Sequence, residues 1–203
     1  MLRHLLRLLV PSITLLGVTS ALAAPCDPIP ALQLTPFDAE RLAALEQSRS
    51  AALAQIASEG DAEARRTVAA FFDEGLAPVD DLPPGDYRCR TVKLGGPFGP
   101  FTAYSFFACR VAETPEGLKL DKLTGSQRFS GYLAAVDGGL VFRGASHYSD
   151  ELPRRYGDDA ERDEVACLGR LEGDGGSWLL EFPRPRVESL HNVIELQPLA
   201  AAR

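Results

Sequence analysis

The sequence has few of the residues and motifs on which common catalytic sites depend. Its 203 residues include only three histidines, and only His147 and His191 lie beyond residue 4. It contains no Gly-x-Ser-x-Gly motif, no Cys-x-x-Cys pair and no glycine-rich nucleotide-binding loop, so it gives no support to a serine hydrolase, a thiol redox enzyme or a nucleotide-binding fold. His147 and Asp150 are too few for a zinc site, which needs three or four converging ligands. We therefore expect no catalytic residue, no cofactor and no metal site.

Positive charge is also in short supply. The sequence has 21 Lys and Arg residues against 28 Asp and Glu, which gives a formal net charge of −7 at pH 7. Nucleic-acid binding depends on cations that neutralise phosphates, and adhesion to anionic lipid depends on clustered Lys and Arg. The overall charge therefore argues against a nucleic-acid partner and against simple adhesion to an anionic membrane.

No hydrophobic run is long enough to predict a stable membrane span. The best candidate covers residues 8–18, after Arg3 and Arg7 and before the small-x-small sequence at residues 21–23. This order is typical of a signal peptide, and the run is too short to cross a bilayer comfortably. We predict a signal peptide at residues 1–23, cleaved after Ala23 or Ala24, and a periplasmic or secreted protein with no membrane span after cleavage. An uncleaved anchor is the alternative.

The remaining chain divides into a helical part and a β part. Residues 24–35 are proline-rich and are predicted to be extended. Thr35-Pro36 is typical of a helix start, apolar residues then recur at helical spacing, and Gly60-Asp61 separates this helix from a second one. Residues 36–75 are therefore predicted to form a helical hairpin, which a linker joins to the β part.

Residues 84–198 alternate short β-like runs with Gly, Pro and Asp turns. The predicted strands cover residues 86–94, 104–112, 117–123, 127–136, 139–147, 163–171, 177–182 and 190–198. Short turns between them favour an antiparallel up-and-down β-barrel, calycin-like in outline, with a β-sandwich as the alternative. The predicted fold class is thus mainly β with N-terminal helices, and whether the barrel is hollow or filled stays open.

Four cysteines in an exported chain suggest disulfides, and four cysteines allow three pairings. Cys89 and Cys109 lie on the first two predicted strands. Placing them opposite each other centres the pairing on the connecting loop, and a closely spaced antiparallel pair suits a disulfide. We predict a Cys89–Cys109 disulfide, whereas the pairing of Cys26 and Cys167 stays open.

The strand faces opposite these cysteines carry Arg88, Arg90 and Arg110, and the same register sets Arg88 against Arg110. Guanidinium groups suit carboxylates and phosphates, so an anion site is one interpretation. The alternative is a solvated sheet face that the chain's own carboxylates, such as Asp86, neutralise.

A second candidate is the polar stretch that contains Ser126 and Arg128. Gly125 and Gly131 flank it and suggest a bend, a bulge or the close approach of another backbone. Such a set can orient a polar ligand, or it can satisfy buried backbone at a barrel corner.

A long polar loop at residues 147–164 is the third candidate, because long loops often carry function. A hydrolase that uses Asp158, Asp159 or Asp163 is one hypothesis, although nothing in the sequence gives two of these acids different environments. A protein-interaction surface at residues 148–162 is another.

Several blocks of the β part resemble the signature blocks of a known family. They occur in order between Pro84 and Pro198 and read PGDYRCRTVKLGG, FFACR, LTGSQRFSGYL, YGDDAERDEVACL and FPRPRVESLHNVIELQP. The chain thus resembles the exported bacterial family catalogued as domain of unknown function 4893. The resemblance implies export, and it brings no known activity, cofactor or catalytic residue.

We expect a non-enzymatic binding domain that holds a small polar or anionic ligand in the barrel mouth. The candidate ligand-binding residues are Arg88, Arg90, Arg110, Ser126 and Arg128. The alternatives are an envelope protein-interaction or inhibitor module and a hydrolase.

Overall fold

The computed structural model describes residue 26 and residues 30–136, 139–172 and 176–199. The predicted signal peptide and its cleavage point lie outside the described residues, as does part of the segment at residues 24–35. The described part of that segment contains a short 3-10 helix at Pro30–Leu32.

Three α-helices precede the barrel: α1 (Pro36–Ala43), α2 (Leu45–Glu59) and α3 (Ala62–Phe72). The side chain of Thr35 caps α1 and that of Asp61 caps α3, each accepting a hydrogen bond from a backbone N–H three residues on, as Thr and Asp at such positions commonly do. The prediction of helices N-terminal to the barrel is confirmed. A break at Ala44 divides the first predicted helix into two.

The strands of the described residues are β1 (Leu76–Pro78), β2 (Gly85–Leu94), β3 (Phe101–Ala103), β4 (Phe107–Thr114), β5 (Gly117–Lys122), β6 (Gln127–Val136), β7 (Gly139–Tyr148), β8 (Asp163–Leu171), β9 (Trp178–Pro183) and β10 (His191–Pro198). From β4 to β10 each strand pairs antiparallel with the next, β4 also pairs with β2, and β10 returns to β2. The sheet therefore closes into an eight-stranded up-and-down barrel, which confirms that prediction over the β-sandwich. β1, within the predicted linker, adds to one end of β8 outside this ring.

The predicted register of the first two strands is wrong by two residues. Cys89 faces Phe107 rather than Cys109. The chain reverses between Pro97 and Phe98 rather than at the middle of the predicted loop, so β3 pairs with β2 three residues out of the predicted register. Residues 104–106 bring the register back by one residue at β4, as a β-bulge does. The assumption of a symmetric loop therefore caused the error. The predicted disulfide nevertheless forms, with the two Cα atoms 5.8 Å apart.

The corrected register removes the predicted pairing of Arg88 with Arg110. Arg88 faces Ala108, and Arg110 faces Asp86. Nε of Arg110 donates to Oδ1 of Asp86 at 2.8 Å, so the chain's own carboxylate neutralises this part of the sheet face.

The helices and the N-terminal segment cover part of the barrel's outer surface. α2 and α3 pack on β2, β9 and β10 through one apolar cluster that includes Ile56, Phe71 and Val92. α1 packs mainly on β8, so the break at Ala44 lets consecutive helices follow different strands. A second disulfide, Cys26–Cys167, ties the N-terminal segment to β8.

Apolar side chains fill the end of the barrel at which β2 begins, which we call the closed end. Leu82, just before β2, is fully buried there. Tyr87 packs edge-to-face on Trp178 with ring centroids 5.9 Å apart, and its hydroxyl donates to the carbonyl of Pro83 at 2.6 Å. The question of a hollow or filled barrel is thus answered at this end, which is filled.

Candidate functional site

A cavity of about 380 Å³ opens at the other end of the barrel, which we call the mouth. It lies where β2, β5, β7 and β9 end and where β6, β8 and β10 begin. Phe129 and Phe182 belong to the apolar core, with ring centroids 6.1 Å apart, and form the floor of the cavity. A concave space of this size above an apolar floor suits a small molecule.

Lys122, the last residue of β5, places a buried positive charge in the mouth. Its side chain is 8% exposed, and it forms no ion pair with a carboxylate of the described residues. Burial lowers the pKa of Lys122 to about 8, and the neighbouring charges of Lys93 and Arg128 act in the same direction. Burying a cation without a partner is unfavourable, so an anion beside Lys122 would relieve an existing cost.

A glycine leaves room for the aromatic ring that lies beside this lysine. Nζ of Lys122 lies 4.4 Å from the centroid of the Phe107 ring, a distance suited to a cation–π contact. Gly125 has a φ of +92°, and a Cβ at that position would lie 3.0 Å from the same ring. The neighbour of Gly125 is thus a side chain and not the predicted backbone. At Gly131 another backbone does approach closely, since a Cβ there would lie 2.5 Å from the carbonyl oxygen of Arg143.

Four further cations line the mouth, namely Lys93, Arg128, Arg162 and Arg186. Two of them have carboxylate partners, since Lys93 pairs with Glu188 and Nη1 of Arg186 lies 3.5 Å from Glu161. Nε of Arg186 is buried and has no hydrogen-bond partner among the described atoms. Part of the hydrogen-bonding capacity of Arg186 is therefore unused.

The other two cations make weaker contacts. Arg162 lies over the Tyr148 ring, 4.5 Å from its centroid, and Nε of Arg128 donates to the carbonyl of Gly125 at 3.1 Å. Neither forms an ion pair with a carboxylate in the described part of the chain. Guanidinium groups that are not paired with carboxylates can turn their remaining donors toward a ligand.

The mouth is positive although the protein as a whole is negative. Five cations line it against three carboxylates, those of Glu161, Glu164 and Glu188, whereas the whole chain has a formal charge of −7. Burial raises the pKa of Glu164, although Arg41, whose Nη1 lies 3.6 Å from the Glu164 carboxylate, opposes the rise.

Only one of the five predicted ligand-binding residues lines the mouth, and that is Arg128. Ser126 lies in the turn between β5 and β6, where its carbonyl accepts a hydrogen bond from the backbone of Ser149 at 2.9 Å. Arg88, Arg90 and Arg110 alternate with buried residues of β2 and β4 and lie on the outer surface. Their predicted location in the mouth is wrong, because the cysteine face of these strands points into the barrel and the arginine face points away from it.

The outer arginines use their donors within the protein. Nε of Arg88 donates to Gln197 at 2.6 Å, and Nε of Arg90 donates to Glu195 at 2.5 Å. Both guanidinium groups lie over the ring of Phe106, with Cζ of Arg88 and Cζ of Arg90 at 4.6 and 5.1 Å from the ring centroid. The chain's own carboxylates thus neutralise Arg90 and Arg110, as in the alternative interpretation, whereas the partner of Arg88 is an uncharged amide.

The sequence analysis missed four of the five cations of the mouth, although the alternation of inward and outward side chains along the strands could have identified two of them. Lys122 follows Leu118 and Leu120 at alternate positions, and Lys93 shares the face of Cys89. A lysine on the core face of a predicted strand marks a buried charge or a strand end. Arg162 and Arg186 lie in loops, where no periodic pattern exists to find them.

A Ser–His–Glu cluster lies outside the barrel, between α2 and the strands β9 and β10. Nδ1 of His191 lies 2.9 Å from Oγ of Ser48, and its Nε2 lies 3.1 Å from Glu181, which resembles a catalytic triad in its distances. The Ser48 hydroxyl also donates to the carbonyl of Leu190 at 2.8 Å and accepts from the N–H of Arg184 at 3.1 Å. It is buried and fully hydrogen-bonded, so it is not available as a nucleophile.

The Glu181 carboxylate makes this cluster a structural link. Arg49 of α2 donates to both of its oxygens, at 2.6 and 2.7 Å. Burial acts to raise the pKa of Glu181, but hydrogen bonds from His191 and Arg49 outweigh it and lower the pKa below its ordinary value. An ionised carboxylate thus joins α2 to the barrel.

Two acids of the predicted polar loop at residues 147–164 accept hydrogen bonds from the backbone of that loop. Oδ1 of Asp163 accepts from the N–H of Gly157 at 2.8 Å, and Asp158 accepts from the N–H of Arg155 at 3.0 Å. Burial raises the pKa of Asp163, but this side chain does not line the mouth. The placement gives the hydrolase hypothesis no support.

A larger groove of about 540 Å³ lies beside β6 and β7 on the outer surface. Two of its four cations have carboxylate partners, since Arg154 pairs with two acids of its own loop and Lys119 lies 3.0 Å from Asp121. Arg143 donates to the carbonyl of Leu32, and Arg155 forms no ion pair with a carboxylate of the described residues. We prefer the mouth for an anion because it contains a buried cation, Lys122.

The described residues also bear on metals and membrane spans. They contain no group of three or more His, Cys, Asp or Glu side chains arranged to hold a metal ion. No helix among them is long and apolar enough to cross a membrane.

The family model described as Domain of unknown function (DUF4893) matches residues 32–196. The chain belongs to this family. The match begins well before Pro84, so the three helices are part of the family domain along with the barrel. No curated protein and no solved structure matches the chain, and the function must therefore be argued from the mouth itself.

Proposed function

We propose that the mouth binds a small anion, a molecule with carboxylate or phosphate groups, without catalysing its conversion. The observation that carries this proposal is Lys122, a buried cation whose perturbing charged neighbours are themselves cations. An anion in the mouth would receive charge-assisted hydrogen bonds from Lys122 and from the guanidinium groups of Arg128 and Arg162. Such bonds are stronger in a partly buried cavity than on an open surface, because the local dielectric constant is lower.

Titration calorimetry with inorganic phosphate and with citrate tests the binding. Lys122→Met removes the charge and keeps the length of the side chain, and we expect it to weaken binding about tenfold or more. Lys119→Met is the matched control, because Lys119 lies on the same strand and pairs with Asp121 outside the mouth. Equal affinities of the wild-type and Lys122→Met proteins would contradict the proposal, as would a wild-type protein that binds neither anion.

We propose in addition that the protein is periplasmic or secreted. Two disulfides support this location, because such bonds persist in oxidising compartments, and residues 1–23 have the order of a signal peptide. Mass spectrometry of the protein from its own cell envelope is the test. We expect cleavage after Ala23 or Ala24 with both disulfides formed, and a full-length, reduced chain would contradict export.

An interaction surface at residues 148–162 stays a prediction, and one observation favours it. Leu152 in this loop is 86% exposed. Deleting the loop is a poor test, because the hydroxyl of Tyr156 donates to Asp38 at 2.5 Å and anchors α1. Leu152→Ser keeps this anchor, and its failure to release a co-purifying envelope protein would count against the interaction.

A further inference from the structure

Exposed apolar side chains are distributed unevenly between the two ends of the barrel. Those at the ends of strands or in loops on the side of the mouth are Phe98, Tyr104, Leu123, Tyr148, Leu152, Val187 and Leu190. Among the described residues at the closed end, only Leu199 is a large apolar side chain with comparable exposure. Phe98 and Val187 are 82% and 69% exposed, against 52% for Leu199.

Several of these side chains border the cationic cavity. Val187 and Tyr148 line the mouth directly, and Leu123 follows Lys122 in the chain. Phe98 and Tyr104 line a small depression of about 250 Å³ that shares Lys93 and Glu188 with the mouth. We call Phe98, Tyr104, Leu123, Tyr148 and Val187 the apolar rim.

The most exposed members of the apolar rim, Phe98 and Val187, come from two loops, those between β2 and β3 and between β9 and β10. The two loops pack on each other, since a Cβ at Gly96 would lie 2.7 Å from the backbone of Glu188. Exposed apolar side chains around a recessed positive charge fit the membrane interface, where acyl chains lie beneath anionic headgroups. Exposed apolar side chains gathered at one end of a protein commonly mark such a contact surface.

We infer that the mouth docks on an anionic lipid surface, with the apolar rim inserted at the interface and one anionic headgroup bound beside Lys122. This inference rests on the proposed function, since it names the lipid headgroup as the anion that the mouth receives. The headgroup would meet Lys122, Arg128 and Arg162 from outside, which is the direction from which the cavity is open.

The negative charge of the whole protein does not prevent this contact. Electrostatic interactions at physiological ionic strength fade over about 8 Å, so the charges nearest the membrane decide the interaction. Those charges include the five cations and three carboxylates of the mouth. The sequence-based argument against adhesion to anionic lipid used the total charge, which does not describe this end of the molecule.

Vesicle co-sedimentation of the mature protein tests the inference. The vesicles are phosphatidylcholine alone or phosphatidylcholine mixed with phosphatidylglycerol, and we expect binding to the mixed vesicles only. Phe98→Ser combined with Val187→Ser should lower the partition coefficient about tenfold or more, because two large apolar side chains no longer enter the interface. Leu199→Ser, at the closed end, is the matched control and should bind like the wild type.

The same variants separate this inference from the proposed function. The double variant of the apolar rim should bind inorganic phosphate and citrate with wild-type affinity. Lys122→Met should bind these soluble anions about tenfold or more weakly and should lose the preference for phosphatidylglycerol. Wild-type protein that binds soluble anions but not the mixed vesicles would overturn the docking inference and leave the anion site standing. Protein that binds neither would overturn both.

Two further outcomes would overturn the docking inference. One is equal binding of the wild type to neutral and anionic vesicles, which would remove the role of the headgroup. The other is tight binding of a monomeric short-chain phosphatidylglycerol by a protein that binds neither set of vesicles, as wild type or as the rim double variant. That result would make a soluble lipid the ligand.

Discussion

The two ends of the barrel are built from the same eight strands but have opposite chemistry. At the closed end, Leu82 and the Tyr87–Trp178 pair fill the interior, and only two residues separate β4 from β5. At the mouth, longer loops surround an open cavity with five cations. The comparison indicates that one end supplies packing stability, whereas the other carries a charge arrangement that packing alone does not explain.

The largest expected effect on stability lies at the closed end. Leu82→Ala removes a fully buried side chain and should lower the free energy of unfolding by about 2–5 kcal/mol. Urea unfolding followed by circular dichroism measures this change. Phosphate affinity of the folded variant should not change, and a loss of affinity would show that the two ends are not independent.

At the mouth we expect the opposite effect on stability. Lys122→Met replaces a buried cation that lacks a carboxylate partner in the described chain, so it should raise the free energy of unfolding by about 1–3 kcal/mol at pH 7. The same urea experiment measures it, with Lys119→Met as the control. A destabilised Lys122→Met protein would mean that the ammonium group has a stabilising partner and would weaken the case for an anion site.

The pH dependence sharpens the comparison. Sulfate keeps a constant charge from pH 7 to 9, so its affinity should fall over this range as Lys122, with its lowered pKa of about 8, loses its proton. Calorimetry at several pH values measures the trend. The charged and titratable groups around Lys122 in the mouth are Lys93, Arg128, His147, Tyr148, Glu161, Arg162, Glu164, Arg186 and Glu188.

Stability should show the reverse trend. Above pH 8 the folded protein has lost a proton from Lys122 that the unfolded chain keeps until about pH 10.5, so this residue's contribution to stability increases with pH over that interval. Lys122→Met should remove this increase and flatten the sulfate profile. A variant with an unchanged profile in both measurements would assign the pH dependence to another group.

The smallest effect is expected outside the mouth. Arg88→Ala combined with Arg110→Ala removes two cations from the outer surface, where Gln197 and Asp86 accept their hydrogen bonds. Phosphate affinity should stay at the wild-type value in calorimetry. A substantial loss of affinity would return the anion site to these arginines, as the sequence first suggested.

The barrel was predictable because its signals are local. Turn residues such as Gly, Pro and Asp recur between runs of β-formers, and the predicted strand bounds agree with the observed ones to within a few residues. The caps at Thr35 and Asp61 were equally readable, since each depends on a side chain and the N–H three residues later.

The site was less predictable because it depends on contacts across the barrel. The chain reversal between Pro97 and Phe98 determines which residues face each other on β2 and β4, and the glycines and prolines throughout residues 95–100 do not show where the reversal is centred. Cys26 and Cys167 are 141 residues apart, so their pairing needed the closed fold. The alternation that places Lys122 inside the barrel was visible, but its burial became clear only once Phe107 and Gly125 were seen beside it.

The most direct test of the anion site is an NMR titration of the lysine side chains, with the Lys122 signal assigned from the Lys122→Met protein. We predict a pKa of about 8 for Lys122 in the free protein and a rise toward its ordinary value when citrate is added, because a bound anion stabilises the ammonium form. The account would be contradicted if citrate left the pKa of Lys122 unchanged and shifted the pKa of a different lysine instead.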